Sequence, residues 1–228
     1  MGLKESGLRG SLRNVSVGID AIPDSEELYA HYDWGQEDGS MPIIDLSDND
    51  NDLDSGGYSG VGGDINGVQA GEFVDDIVFN DDGIGESPDY NIFFVCTHKV
   101  TDDIQFYICN EDGNAQLFVD ESGNSDDWAH QGDIFGGDAS DSESPSIMGF
   151  GFESDGWIRQ DGEEVAAGSL SPESYAESIY VGGDPRDGGR FFIDDGLLGE
   201  LLIYPPRTGG QIDDVEEYLS GKWGIPLE

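Results

Sequence analysis

The chain sets 50 acidic side chains against 9 basic ones over 228 residues, a formal net charge of -41 at pH 7. Repulsion between like charges excludes nucleic acid as a direct partner and insertion into an anionic membrane. Apolar runs stop well short of the roughly 18 to 20 residues that cross a bilayer, the N-terminus lacks the apolar stretch of a signal peptide, and 2 cysteines are too few for a multi-bridge scaffold.

High charge alone would suggest disorder. Against this, Leu, Ile, Val and Phe total 55 residues, above the roughly one-fifth below which charged chains stay unfolded, and they fall in short runs bounded by Gly, Asp, Asn and Ser. The first element breaks the charge pattern: Lys4, Arg9 and Arg13 hold a third of all basic charge. Residues 1–25 are therefore expected to form an extended basic arm. A frayed end is the plain alternative; docking onto a sister subunit or another protein is the functional one.

Residues 26–228 are expected to form one all-β domain. In Leu28-Tyr29-Ala30-His31-Tyr32-Asp33-Trp34 apolar and polar positions alternate. Further strands are expected at 42–46, 72–79, 91–100, 103–110, 115–120, 146–152, 156–160, 163–166, 178–182 and 197–204, which makes a two-sheet sandwich or jelly roll. Residues 121–145 read as a long polar loop. Near the end, Ile212, Val215, Tyr218 and Leu219 recur at helical spacing, with Asp213 and Asp214 toward the positive end of that helix and Lys222 at the negative end.

The segment Gly199-Glu200-Leu201-Leu202-Ile203-Tyr204, a helix closing on Tyr218-Leu219, and Lys222-Trp223-Gly224-Ile225 resemble the end of laminin-G-like, concanavalin A-like jelly rolls. Tyr32-Asp33-Trp34, Asp45-Leu46-Ser47, Ile65-Asn66-Gly67 and Phe73 resemble the opening strands of that fold. The resemblance implies an all-β, concanavalin A-like two-sheet jelly roll with a short C-terminal helix and the N-terminal arm. Three lysines and 32 Asp against 18 Glu also resemble proteins of haloarchaea and their viruses; in molar salt the Debye length falls to about 3 Å and surface carboxylates cost little. Together with the basic arm, that acidity resembles virion proteins of tailed viruses infecting haloarchaea, which implies a non-enzymatic structural protein made in the host cytoplasm and displayed on a virion as capsid turret, decoration or tail fibre. Its partners would be other virion proteins or its own copies through the arm, and host surface-layer glycans. The alternative is a lectin-like carbohydrate-binding module of a haloarchaeal cell.

Enzyme signatures are lacking. A jelly-roll glycosidase needs paired carboxylates on one strand face, and the nearest match, Glu153-Ser154-Asp155, has Ile158 where a third acid belongs. The histidines His31, His98 and His130 read as strand or loop surface. Asp48, Asp50 and Asp52 alternate like the start of an EF-hand, yet Leu53 and Ser59 stand where that loop needs Gly and Glu. Two readings remain for them: a Ca²⁺ loop of another type, or a solvated loop in a diffuse Na⁺/K⁺ atmosphere. Trp34, Trp157 and Trp223 are expected in the core. Trp128, with Asp126, Asp127 and His130, lies in the polar loop, either as a stacking platform for a glycan or partner or as an anchor folded back on the domain. Cys96 and Cys109 are expected on adjacent strands, facing each other as free thiols.

Overall fold

A computed structural model describes residues 22–37, 39–57, 60–74, 77–84, 89–97, 104–112, 116–120, 127–130, 133–139, 144–170, 175, 178–187 and 194–228. Lys4, Arg9, Arg13, His98 and Asp126 lie outside them. In chain order the strands are β1 (Ala30–Asp33), β2 (Ser55–Gly57), β3 (Gly60–Ile65), β4 (Val68–Val74), β5 (Ile77–Asn80), β6 (Tyr90–Thr97), β7 (Ile104–Cys109) and β8 (Gln116–Asp120). They continue as β9 (Asp127–His130), β10 (Ile134–Gly136), β11 (Ser146–Phe152), β12 (Asp155–Gln160), β13 (Glu163–Ser169), β14 (Ile179–Val181) and β15 (Asp194–Tyr204), followed by helix α1 (Gly209–Trp223).

The strands form two antiparallel sheets. One runs β13-β12-β11-β6-β15-β4-β3, with β1 also paired to β15; the other runs β10-β9-β8-β7-β14-β5-β2. The concanavalin A-like jelly-roll sandwich expected from the sequence is the architecture found. Between the sheets lies a core that includes Tyr32, Trp34, Phe94, Tyr107, Trp128 and Phe150. A second apolar layer, including Phe93, Val95, Leu202, Tyr204, Leu219 and Trp223, lies under α1 on the outer face of the first sheet. Strand β6 serves both layers, with Ile92, Phe94 and Cys96 inward and Phe93 and Val95 outward. This is why it reads as an unbroken apolar run rather than an alternating one.

Five expectations need correction. Residues 72–79 are two strands in different sheets, β4 and β5. Residues 42–46 contribute only the isolated bridge Ile43–Leu53, because the Asp45 carboxylate captures the backbone N–H groups of His31 (2.8 Å), Ser47 (2.9 Å) and Asn51 (2.9 Å), and such side-chain bonds compete with ladder pairing. The polar loop at 121–145 contains β9 and β10, with Trp128 turned inward and Ala129 outward. Strands β6 and β7 sit in opposite sheets, so Cys96 and Cys109 do not face each other across a ladder; both are buried free thiols. Residues 22–25 belong to the sandwich rather than to an arm: Ile22 is buried in the outer layer and the Tyr204 hydroxyl donates to the Pro23 carbonyl at 2.9 Å.

Helix α1 opens with the Thr208 N–H donating to Gln211 Oε1 (3.2 Å) and closes at Gly224 in the left-handed region, φ 66°. Its buried stripe is Ile212, Val215, Glu216, Leu219 and Trp223. Arg159 on β12 meets the buried Glu216 through two 2.8 Å bonds, a two-point pairing that ties the helix to the sheet.

Candidate functional site

Two polar assemblies stand out. The first is buried under α1 and begins with a register shift in β15. A bulge between Leu198 and Glu200 places Glu200 on the outer face, opposite Val95. At the bulge a Cβ on Gly199 would lie 2.7 Å from the Trp223 ring, so the close approach of that indole requires glycine here.

Glu200, fully buried, accepts from four side chains. His31 Nε2 lies 2.8 Å from Oε1, the Tyr218 hydroxyl donates to Oε1 at 2.9 Å, Lys222 Nζ donates to Oε2 at 2.7 Å, and Trp223 Nε1 donates to Oε2 at 2.9 Å. Lys222 Nζ also donates to Asp33 Oδ2 at 2.7 Å. Burial pushes the Glu200 carboxyl up, but the hydrogen bonds and charges of His31 and Lys222 outweigh it and leave the carboxyl below its ordinary range. Among the described residues His31, Asp33 and Glu200 are the group that could hold a metal, their ligand atoms lying within 4.8 Å of one another. The Lys222 ammonium donates to both carboxylates of that group and supplies the positive charge there. Chemically this is a sealed clasp between sheet and helix, and His31 is a core residue rather than the surface residue expected.

The second assembly is open. A cavity of about 510 Å³ is lined by Gly137 and Asp138 after β10, Ser144–Ser146 entering β11, Gln160, Asp161 and Glu163 across the β12–β13 turn, Val165 and Glu228. Its size falls within the usual range for small-molecule sites. Gln160 braces it: Oε1 accepts the Asp138 N–H at 2.8 Å and Nε2 donates to the Asp138 carbonyl at 3.0 Å. Asp161 accepts the Ile147 N–H at 2.8 Å. Burial raises its pKa, against the Ile147 hydrogen bond, and the nearby Glu228 charge adds to the rise. The lining offers carboxylates, an amide and hydroxyls, with Pro145 and Val165 as its apolar side chains and no Lys, Arg, His or aromatic side chain among the residues given above. Arg159 is the neighbouring cation on β12, and its guanidinium is engaged by Glu216 and Asp213.

The sequence-derived site residues are not assembled there. Trp128 is fully buried on β9, its ring 5.0 Å from Tyr107, 5.9 Å from Phe94 and 6.3 Å from Phe150. This corrects the platform reading and supports the anchor reading. It still backs the cavity, since a Cβ on Gly137 would lie 3.3 Å from the indole. His130 is also buried, with Nε2 2.9 Å from the Gly151 carbonyl and its ring against Phe152; desolvation lowers its pKa to about 4. Asp127 is half-buried at the start of β9. Trp34 and Trp223 are fully buried as expected, whereas Trp157 is half-buried against the outer layer. Asp48, Asp50 and Asp52 do not bring three carboxylates within ligating distance of one another; Asp52 instead accepts the Asp45 N–H at 2.7 Å, so internal hydrogen bonds order this loop. At the position expected for a third glycosidase acid, Ile158 is buried in the inter-sheet core.

No protein-family model and no curated protein matches the chain. Solved structures do match. Domain 4 of AbnA, a GH43 extracellular arabinanase from Geobacillus stearothermophilus solved with arabinotriose, aligns with TM-score 0.60 at 17% identity over 83% of this chain and 98% of that domain. Trypanosoma rangeli sialidase aligns with TM-score 0.60 at 12% identity over 89% of this chain. The Botulinum neurotoxin serotype D ligand binding domain, solved with N-acetylneuraminic acid, aligns with TM-score 0.58 at 11% identity over 92% of this chain. The chain spans 34% of the sialidase and 56% of the neurotoxin domain. At these identities the likeness establishes a shared jelly-roll β-sandwich.

Proposed function

We propose that the protein is a non-enzymatic carbohydrate-binding β-sandwich module whose ligand site is the cavity at the β11–β12–β13 corner. The observation that carries this reading is the lining itself. Asp138, Asp161, Glu163 and Glu228 accept hydrogen bonds, Gln160 and the serines add amide and hydroxyl groups, and the space of about 510 Å³ suits a short oligosaccharide. Support comes from the fold, which is shared with a domain solved with arabinotriose and another solved with N-acetylneuraminic acid. The charge of the lining favours one of those sugar types. Four carboxylates, with no cation among the described lining residues, oppose a sialic acid, so the ligand of this reading is a neutral oligosaccharide whose hydroxyls donate.

Calorimetric titration of the full chain with arabinotriose, a panel of neutral oligosaccharides and N-acetylneuraminic acid tests this. Saturable heat is expected from a neutral sugar and none from the sialic acid. Glu163→Gln with Asp161→Asn is expected to weaken binding about tenfold, the loss of one or two charge-assisted hydrogen bonds, with thermal stability retained. A chain that binds no neutral sugar would sink the proposal.

A second reading places the same module on the surface of a halophilic archaeal virus, docked through its N-terminal segment. It is favoured by the inverted charge of Lys4, Arg9 and Arg13. Normal particle incorporation after deletion of residues 1–20 would eliminate it.

A further inference from the structure

The β3–β4 hairpin turns on Asn66-Gly67, both exposed and both at positive φ, 51° and 83°, the two-residue geometry that favours this dipeptide. The turn also touches the end of α1. Asn66 Nδ2 donates to the Trp223 carbonyl at 3.0 Å and to the Gly224 carbonyl at 3.2 Å, acceptors that the helix C-terminus leaves without partners of its own. The Gly67 N–H donates to Asp64 Oδ1 at 2.8 Å, and a Cβ on Gly67 would meet nothing within 4 Å, so this face of the turn is open to water.

We propose that Asn66 is a self-modification site whose slow deamidation unclasps the C-terminal end of α1. The Gly67 backbone nitrogen attacks Asn66 Cγ, a new N–C bond forms, and the Cγ–Nδ2 bond breaks. The amide nitrogen leaves as ammonia, carrying the proton that Gly67 gives up. Water then opens the cyclic imide to aspartate or isoaspartate, with no change of oxidation state. Glycine at 67 offers the nitrogen without a side chain in its path. The folded turn restrains both reactants, since Asp64 holds the Gly67 N–H and two carbonyls hold the Asn66 amide. The rate therefore reports how often the hairpin and the helix end part together. Once formed, the carboxylate faces the Trp223 and Gly224 carbonyls at the negative end of the helix, where an anion is unfavourable. A two-donor clasp becomes a repulsive contact, one residue away from Lys222.

Peptide mass mapping of the full chain, aged folded and aged in urea under the same mildly alkaline conditions, tests the chemistry. The amide-to-acid mass change and isoaspartate are expected at Asn66 in both samples, about tenfold slower when folded, the protection expected from a few hydrogen bonds. Asp64→Ala is expected to recover part of that factor. Asn66→Asp is expected to speed backbone hydrogen exchange in the last two turns of α1 while leaving β7 and β8 unchanged. Asn66 remaining intact in the aged folded chain while converting in urea would overturn the site. Unchanged exchange in Asn66→Asp would overturn the clasp.

Discussion

Lys222→Met removes the ammonium that joins Asp33 to Glu200. Both carboxylates are almost completely buried, at 1% and 0% side-chain exposure. Removing one partner of a buried pair costs about 3 to 5 kcal/mol, mainly because a charge is left uncompensated. The remaining contacts place this case at the lower end. Glu200 keeps His31, Tyr218 and Trp223, and Asp33 keeps the Gln36 amide at 2.5 Å and the Gly35 N–H at 3.0 Å. The expected loss is about 3 kcal/mol, equivalent to about 6 to 12 °C in melting temperature for a domain of this size. Denaturant and thermal unfolding should be measured in dilute and in molar salt. Salt screens exposed pairs strongly and buried ones weakly, so the loss should persist in molar salt. Glu200→Gln in the Lys222→Met background should restore part of it. A loss below about 1 kcal/mol, the range of an exposed pair, would refute the view that this network clasps helix to sheet.

Trp128→Ala should cost about 3 to 5 kcal/mol as a core truncation, read by denaturant unfolding; a stable variant that loses only ligand binding would restore the platform reading. His130 makes the fold acid-labile. Its folded pKa, near 4, lies below the unfolded value of about 6.5, so below pH 6.5 the unfolded chain takes up a proton that the folded chain refuses. Stability should therefore be full above about pH 6.5 and fall by about 3 kcal/mol on reaching pH 4, and His130→Gln should flatten that slope in a series of unfolding curves.

Much of the architecture was legible because it depends on local pattern. The alternation in residues 28–34 put Ala30, Tyr32 and Trp34 inward, and the helical spacing of Ile212, Val215 and Leu219 marked the face of α1 that is buried. The elements that escaped have weak side-chain signals. Strands β2 and β3 are rich in glycine, and β9 and β10 are short segments within polar sequence. The candidate cavity was hidden for another reason: Asp138, Ser146, Asp161, Glu163 and Glu228 come from separate parts of the chain, and with 50 acids in all no spacing distinguishes these from the rest.

Charge, the all-β class, the sandwich and the terminal helix all follow from composition and periodicity, which act locally along the chain. Tertiary structure alone decided which polar residues are buried. His31 and Asp33 occupy the polar face of β1 in any sequence reading, and only the packing of α1 over that face, with the bulge that turns Glu200 outward, converts it into a core. The same logic moved Trp128 inward, because an aromatic in polar sequence gains more by joining Phe94, Tyr107 and Phe150 than by standing in water.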